Sequence, residues 1–136
     1  MDTDEMRRRI ATMNVARLAT VSRDGRPHIV PITFAATDEA LYFAVDRKPK
    51  KTTDLQRLRN IEANPAVSVL FDHYDDDWNN LWWVRIDGHA RVVREGPDFN
   101  EAIALLTERY PQYRTATPGG PAVKITIDRM SGWSAS

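Results

Sequence analysis

Between Leu41 and Ile61 the chain changes its hydrophobic period from two to about three and a half. Leu41, Phe43 and Val45 alternate with Tyr42 and Ala44, the pattern of a half-buried strand. Leu55, Leu58 and Ile61 then share one helical face, and Asn64-Pro65 closes that helix because proline disfavours the helical state of its predecessor. Thr53-Asp54-Leu55-Gln56 reads as a capping box at the helix start. The same reading, carried along the chain, predicts a short helix over Thr3–Met13 from Met6, Ile10 and Met13. Strands follow over Ala16–Ser22 and His28–Ala35, joined by an Arg23-Asp24-Gly25-Arg26 turn in which Asp-Gly supplies positive φ. Pro31 lies inside the second strand and cannot donate to a ladder, which puts that strand at an edge or gives it a bulge. Ala66–Asp72 is a strongly apolar strand. Leu81–Val93 is a longer one, kinked at Asp87-Gly88. Asp98-Phe99-Asn100-Glu101 reads as a second N-terminal box. It opens a helix that buries Phe99, Ala102, Ile103, Leu106 and Tyr110. Ala122–Ile127 is the last strand, and Ser131–Ser134 is a tail holding Trp133. Six strands in meander order with two peripheral helices predict a mainly β fold, a small antiparallel barrel, in one domain spanning 1–136.

Composition narrows the chemistry. The chain has 136 residues and no cysteine, which removes disulfides, thiolate catalysis and Cys-based metal sites and suits a reducing, cytoplasmic setting. At this size roughly two-thirds of the extended chain's surface can be buried, enough for one core. The N-terminus MDTDEMRRRI lacks the apolar run of a secretory signal, and no segment has the length of a membrane span. Nineteen basic and nineteen acidic residues cancel, so neither nucleic acid nor a membrane is expected as a partner.

Against that balance Arg47, Lys48, Lys50 and Lys51 form a local cationic turn beside a helix N-terminus. Unpaired N–H groups and the helix dipole favour an anion there, so the turn is either a phosphate cradle or a solvated basic loop. It has no glycine and is no P-loop. His28, His73 and His89 lie in no metal-ligand spacing, and the acids at 75–77 lack the alternation of a calcium loop. No serine sits in a nucleophile elbow. Any enzyme built on this chain therefore leaves the hard chemistry to a cofactor. Trp82 and Trp83 are strand neighbours and point to opposite faces, so one is core and the other meets a second element, a ligand or another chain. Trp78 and Trp133 add two further large aromatic faces.

WVRIDGHARVV within Leu81–Val93 resembles the R-x-V-R-I-E-G strand of the pyridoxamine-phosphate-oxidase-like split-barrel flavoproteins. ARLATVSRDGRPHIVPITF is similar to that superfamily's opening hairpin, and the basic turn followed by LRNIEANPAVSV has its counterpart there too. The similarity runs from about Arg17 to Val93 and is closest to the branch that uses coenzyme F420, a deazaflavin, with FMN as the alternative cofactor. The resemblance implies a six-stranded antiparallel split β-barrel and a homodimer with two equivalent cofactor sites between subunits. It implies a ring lying against Val30, Pro31, Ile32 and Thr33, and a phosphate held by Lys48, Lys50, Lys51 and Thr52. Trp78, Trp82, Trp83 and Arg85 are the candidates for closing the site from the partner subunit, and Arg57, with Arg59, suits the acidic tail of F420. The implied activity is F420-dependent hydride transfer with a small conjugated organic substrate; an FMN oxidoreductase and a non-enzymatic carrier of a flavin, deazaflavin or tetrapyrrole are the alternatives. No catalytic residue is assigned, and Tyr74, Arg85 and solvent all remain open as proton donors.

Overall fold

The computed structural model describes residues 1–46 and 55–136. Its elements run α1 (Thr3–Ala11), β1 (Ala16–Val21), β2 (Pro27–Ile32), β3 (Ala35–Ala36), β4 (Ala40–Ala44), α2 (Gln56–Ala63), β5 (Ala66–His73), β6 (Trp82–Val93), α3 (Pro97–Arg109), α4 (Gln112–Thr115) and β7 (Ala122–Ser134). The strands form one sheet in the order β2-β1-β5-β6-β7-β4-β3, every pairing antiparallel. β2 and β3 lie at opposite ends of that order, yet only Thr33 and Phe34 separate them in sequence. Three peptide units span at most about 11 Å. The sheet must therefore curl until its two edges meet, and this gives the expected split barrel. It has seven strands rather than six because the run expected over His28–Ala35 leaves one edge at Ile32 and restarts on the other at Ala35.

Local chemistry sets most of the elements. Asp2 caps α1 by accepting from the Glu5 N–H at 2.8 Å, and Met6 and Ile10 enter the core. Gly25 takes φ 87° in the β1–β2 turn. Pro31 pairs with Arg17 on a strand with no second neighbour, so its missing N–H costs no ladder bond. Between Asp87 and Gly88 the β6–β7 register shifts by a bulge. A Cβ at Gly88 would stand 2.3 Å from the Thr126 carbonyl oxygen, so only glycine fits there. No helix among the described residues is long and apolar enough to cross a membrane.

Four expectations need correction. β4 is buried on both faces rather than one: Leu41 and Phe43 enter the barrel, while α3 covers Ala40 and Tyr42 from outside. α2 starts at Gln56 with Leu55 as N-cap and no side-chain cap. The Gln56 amide instead donates to Asn60 Oδ1 at 2.6 Å, and Asn60 in turn donates to Thr20 Oγ1 at 3.0 Å in the interior. Gly96, at φ 92°, is the N-cap of α3; Asp98 turns away to pair with Arg91 and Lys124. β7 runs seven residues beyond Ile127 because β6 offers it a full-length template, from Val93 against Ala122 to Trp82 against Ser134.

The closing link is held by the C-terminal part of α3. The Phe34 N–H donates to the Tyr110 hydroxyl at 3.0 Å. That hydroxyl lies 2.9 Å from the Asn14 carbonyl. Arg109 stacks its guanidinium 4.2 Å from the Phe34 ring centroid and donates to the Phe34 carbonyl at 3.1 Å and to the Met13 carbonyl. Phe34 itself is fully buried. Tyr110→Phe strands a buried N–H, so urea denaturation should show a loss of about 1–3 kcal/mol; an unchanged midpoint would mean that the hydroxyl carries no part of the closure.

Candidate functional site

Where the two sheet edges meet, the chain leaves a cavity of about 380 Å³. Pro31, Ile32 and Thr33 line it from the end of β2, Phe43, Ala44, Val45 and Asp46 from the end of β4, Leu55 and Arg57 from the start of α2, and Tyr113 from α4. The Tyr113 hydroxyl and Thr33 Oγ1 are 2.9 Å apart, which ties the cavity wall to the helical side of the molecule. Burial pushes the Tyr113 phenol above its ordinary pKa, against the Thr33 hydrogen bond. It is therefore neutral at physiological pH and acts as a hydrogen-bonding group, not an anion.

Arg57 is the unusual member. α2 turns Leu58 and Ile61 into the core, which draws the neighbouring Arg57 stem inward. Its Nε is buried and has no hydrogen-bond partner among the described residues, and desolvation lowers its pKa. A guanidinium stays charged even so. A cation with a buried, unpaired donor beside a cavity has interaction free energy left for an anionic or acceptor-rich ligand.

The structure brings Pro31, Ile32, Thr33 and Arg57 together at this cavity. Val30 packs against the core from the same strand. Lys48, Lys50, Lys51 and Thr52 lie outside the described residues; in sequence they fall between Asp46 and Leu55, both of which line the cavity. The aromatic candidates are elsewhere. Trp82 is a core residue, 8 % exposed, with the Arg9 guanidinium 5.3 Å above its ring, and it does not line the cavity. Trp83 faces the outside of the sheet under Arg85, whose guanidinium carbon is 5.9 Å from the ring centroid. Arg85 Nε also meets Asp87 at 3.2 Å. Trp78 sits in a 3-10 turn and is 77 % exposed. Sequence reasoning missed Asp46 and Tyr113. Tyr113 lies two residues beyond Pro111, in the short α4, and carries no local signal of its place in the cavity.

The family model for pyridoxamine 5'-phosphate oxidase matches residues 2–134. The chain belongs to that family. Among proteins of curated function none matches it in sequence. Solved structures of the oxidase family's fold are similar over nearly the whole chain. A conserved hypothetical protein of Mycobacterium tuberculosis superposes with a TM-score of 0.79 at 22% identity, covering 99% of this chain and 86% of that one. An FAD-binding protein of Mesorhizobium loti gives 0.70 at 23%, covering 97% and 94%. The heme storage protein of Vibrio cholerae gives 0.75 at 18%, covering 97% and 93%. At these identities the likeness carries the fold and leaves the ligand of this pyridoxamine-phosphate-oxidase-type chain to be argued from its own residues.

Arg57→Met keeps the packed stem and removes the unpaired guanidinium. Chemical denaturation should give a stability equal to or above that of the parent, within about 1 kcal/mol, while affinity for an anionic ligand falls at least about tenfold. A large loss of stability with affinity intact would make Arg57 a structural residue.

Proposed function

We propose that the chain is an F420-dependent oxidoreductase acting on a small conjugated organic substrate, working as a homodimer. One observation carries the reading: the buried, unpartnered Arg57 Nε stands in the same cavity as Pro31, Ile32 and Thr33. A flat apolar strand end beside an unsatisfied cation suits a planar ring that bears polar edges and an anionic chain. When bound, the reduced deazaflavin supplies a hydride equivalent. The chain supplies orientation, an enclosure and a cation near accumulating negative charge. Thr33 and Tyr113 hold the wall against which the ring would rest, and Lys48, Lys50, Lys51 and Thr52 remain the proposed phosphate ligands.

Support for the deazaflavin over a flavin comes from the cations along α2. A second groove, of about 480 Å³, runs beside that helix; Arg59 and, from the β1–β2 turn, Arg23 line it together with Asp24 and Glu62. Each arginine offers a carboxylate of an oligoglutamate tail a partner, against the repulsion of the two acids; FMN has no such tail. FMN bound in the same cavity is the second reading, favoured by the likeness to the FAD-binding protein of Mesorhizobium loti.

Fluorescence titration of the purified protein with F420 and with FMN separates the two. F420 should bind at least about tenfold more tightly, since one charged hydrogen bond contributes about 1.5–3 kcal/mol. Tighter FMN binding would overturn the choice of cofactor. Uptake of heme with a Soret band, and no turnover of any reducible substrate with either nucleotide cofactor, would make the protein a carrier.

A further inference from the structure

A smaller cavity, of about 200 Å³, lies between α1 and the sheet. Ile10 from α1, Ala36 from β3, Ile86 from β6 and Ile127 and Met130 from β7 give it apolar walls. It shares no residue with the cavity at Pro31. The closing link runs from one to the other, with Thr33 lining the first cavity and Ala36 the second. Apolar cavities stay dry, and one of about 150 Å³ already takes a benzene ring.

Arg109 gives this second cavity a charge. Its guanidinium lines the wall, and closure of the sheet uses only part of it. One N–H goes to the Phe34 carbonyl and one to that of Met13, which leaves the other three of an arginine's five donors. The residue is half-buried, and among the described residues no carboxylate pairs with it. The nearby acids are engaged elsewhere. At the rim Asp38 meets Arg7 at 3.6 Å, and Asp4, outside the lining, meets the same arginine at 3.8 Å. Both acids have side chains 82 % exposed, so solvent and salt screen them. A half-buried cation without a counter-charge is costly, and a bound monoanion offsets that cost.

We propose that this cavity binds a small aromatic monocarboxylate of about the size of benzoate, its ring among Ile10, Ile86, Ile127 and Met130 and its carboxylate on Arg109. The planar fork of a guanidinium suits a carboxylate, and the thioether of Met130 favours an aromatic ring over an aliphatic one. A nucleotide is too large for the space, and inorganic phosphate would leave the apolar walls unfilled. The site is independent of the cofactor reading above. Because the same guanidinium holds the Phe34 carbonyl, an acid bound here also steadies the closing link.

Isothermal titration calorimetry of the full chain with benzoate, benzamide and acetate tests the assignment. Benzoate should fill one site per chain. Benzamide lacks the charge and acetate lacks the ring, so each should bind at least about tenfold more weakly. Ala36→Phe places a ring at the cavity wall, leaves Arg109 intact and should lower benzoate affinity at least about tenfold. Arg109→Gln should do the same. If near-UV circular dichroism shows that Arg109→Gln is unfolded, Ala36→Phe decides, because Ala36 is exposed and outside the core. Arg57→Met alters the other cavity and should leave benzoate affinity unchanged. No benzoate binding at millimolar concentration, equal binding of benzamide or acetate, or full affinity in Ala36→Phe would overturn the site and leave the cofactor reading standing. Loss of benzoate binding in Arg57→Met would put the acid in the cavity at Pro31 and overturn the site too, while supporting Arg57 as an anion ligand.

Discussion

Everything in this structure depends on the two residues that join the sheet to itself. Thr33 and Phe34 are too short a link to let β2 and β3 stay apart, so the strand order can be satisfied only by a curled sheet. Curling alone would leave the Phe34 peptide groups facing one another at a closed edge without ladder partners. Tyr110 and Arg109 provide those partners from α3, and Phe34 stacks its ring edge-on to Phe71 at 5.0 Å on the inner side. The closure is therefore made of three kinds of interaction at once: a chain-length constraint, a set of satisfied backbone groups and a fully buried aromatic. Removing any one leaves the others strained or desolvated.

The cavity follows from the same geometry. Two strand ends that converge without pairing leave a gap, and α2 and α4 border it without filling it. Arg57 is drawn in by its buried helical neighbours, so its guanidinium is partly desolvated before any ligand arrives. Such a group weakens the folded state slightly in exchange for affinity, the balance seen at binding sites generally. By contrast Trp82 and Arg9 satisfy one another within the chain. Their contact docks α1 on β6.

The elements that could be read from sequence are those fixed by local chemistry. Asp24-Gly25 demanded a tight turn, Pro31 an edge or a bulge, and Gly88 a kink in its strand; each requirement is a property of one residue and its neighbours, and the pairing then chose the edge for Pro31 and the bulge for Gly88. The face of β4 could not be read this way, because Tyr42 is covered by α3, which comes more than fifty residues later. β7 extends through Trp133 only because β6 is there to pair with it, and Gly132 gave the opposite local signal. The start of α2 at Gln56 shows a capping pattern losing to a bond within the helix, since the Gln56 amide is engaged one turn on with the buried Asn60. At the cavity, Pro31, Ile32 and Thr33 were singled out through the family resemblance and Arg57 separately, for an anionic tail; the structure brings them to one wall. Tyr113 was not, because its role comes from a hydrogen bond to Thr33 across eighty residues.

The closing link also orders events in time. Its hydrogen bonds join residues 76 and 96 positions apart, among the most distant the chain makes, and contacts of that separation form late because their loop entropy must be met first. The hairpins can assemble earlier, but the cavity has no walls until Phe34 is seated. Ligand binding is then a report on the finished molecule rather than on any part of it. By mass action any ligand held in that cavity would stabilise the entire barrel and not one part of it, because the walls it touches exist together only in the closed molecule.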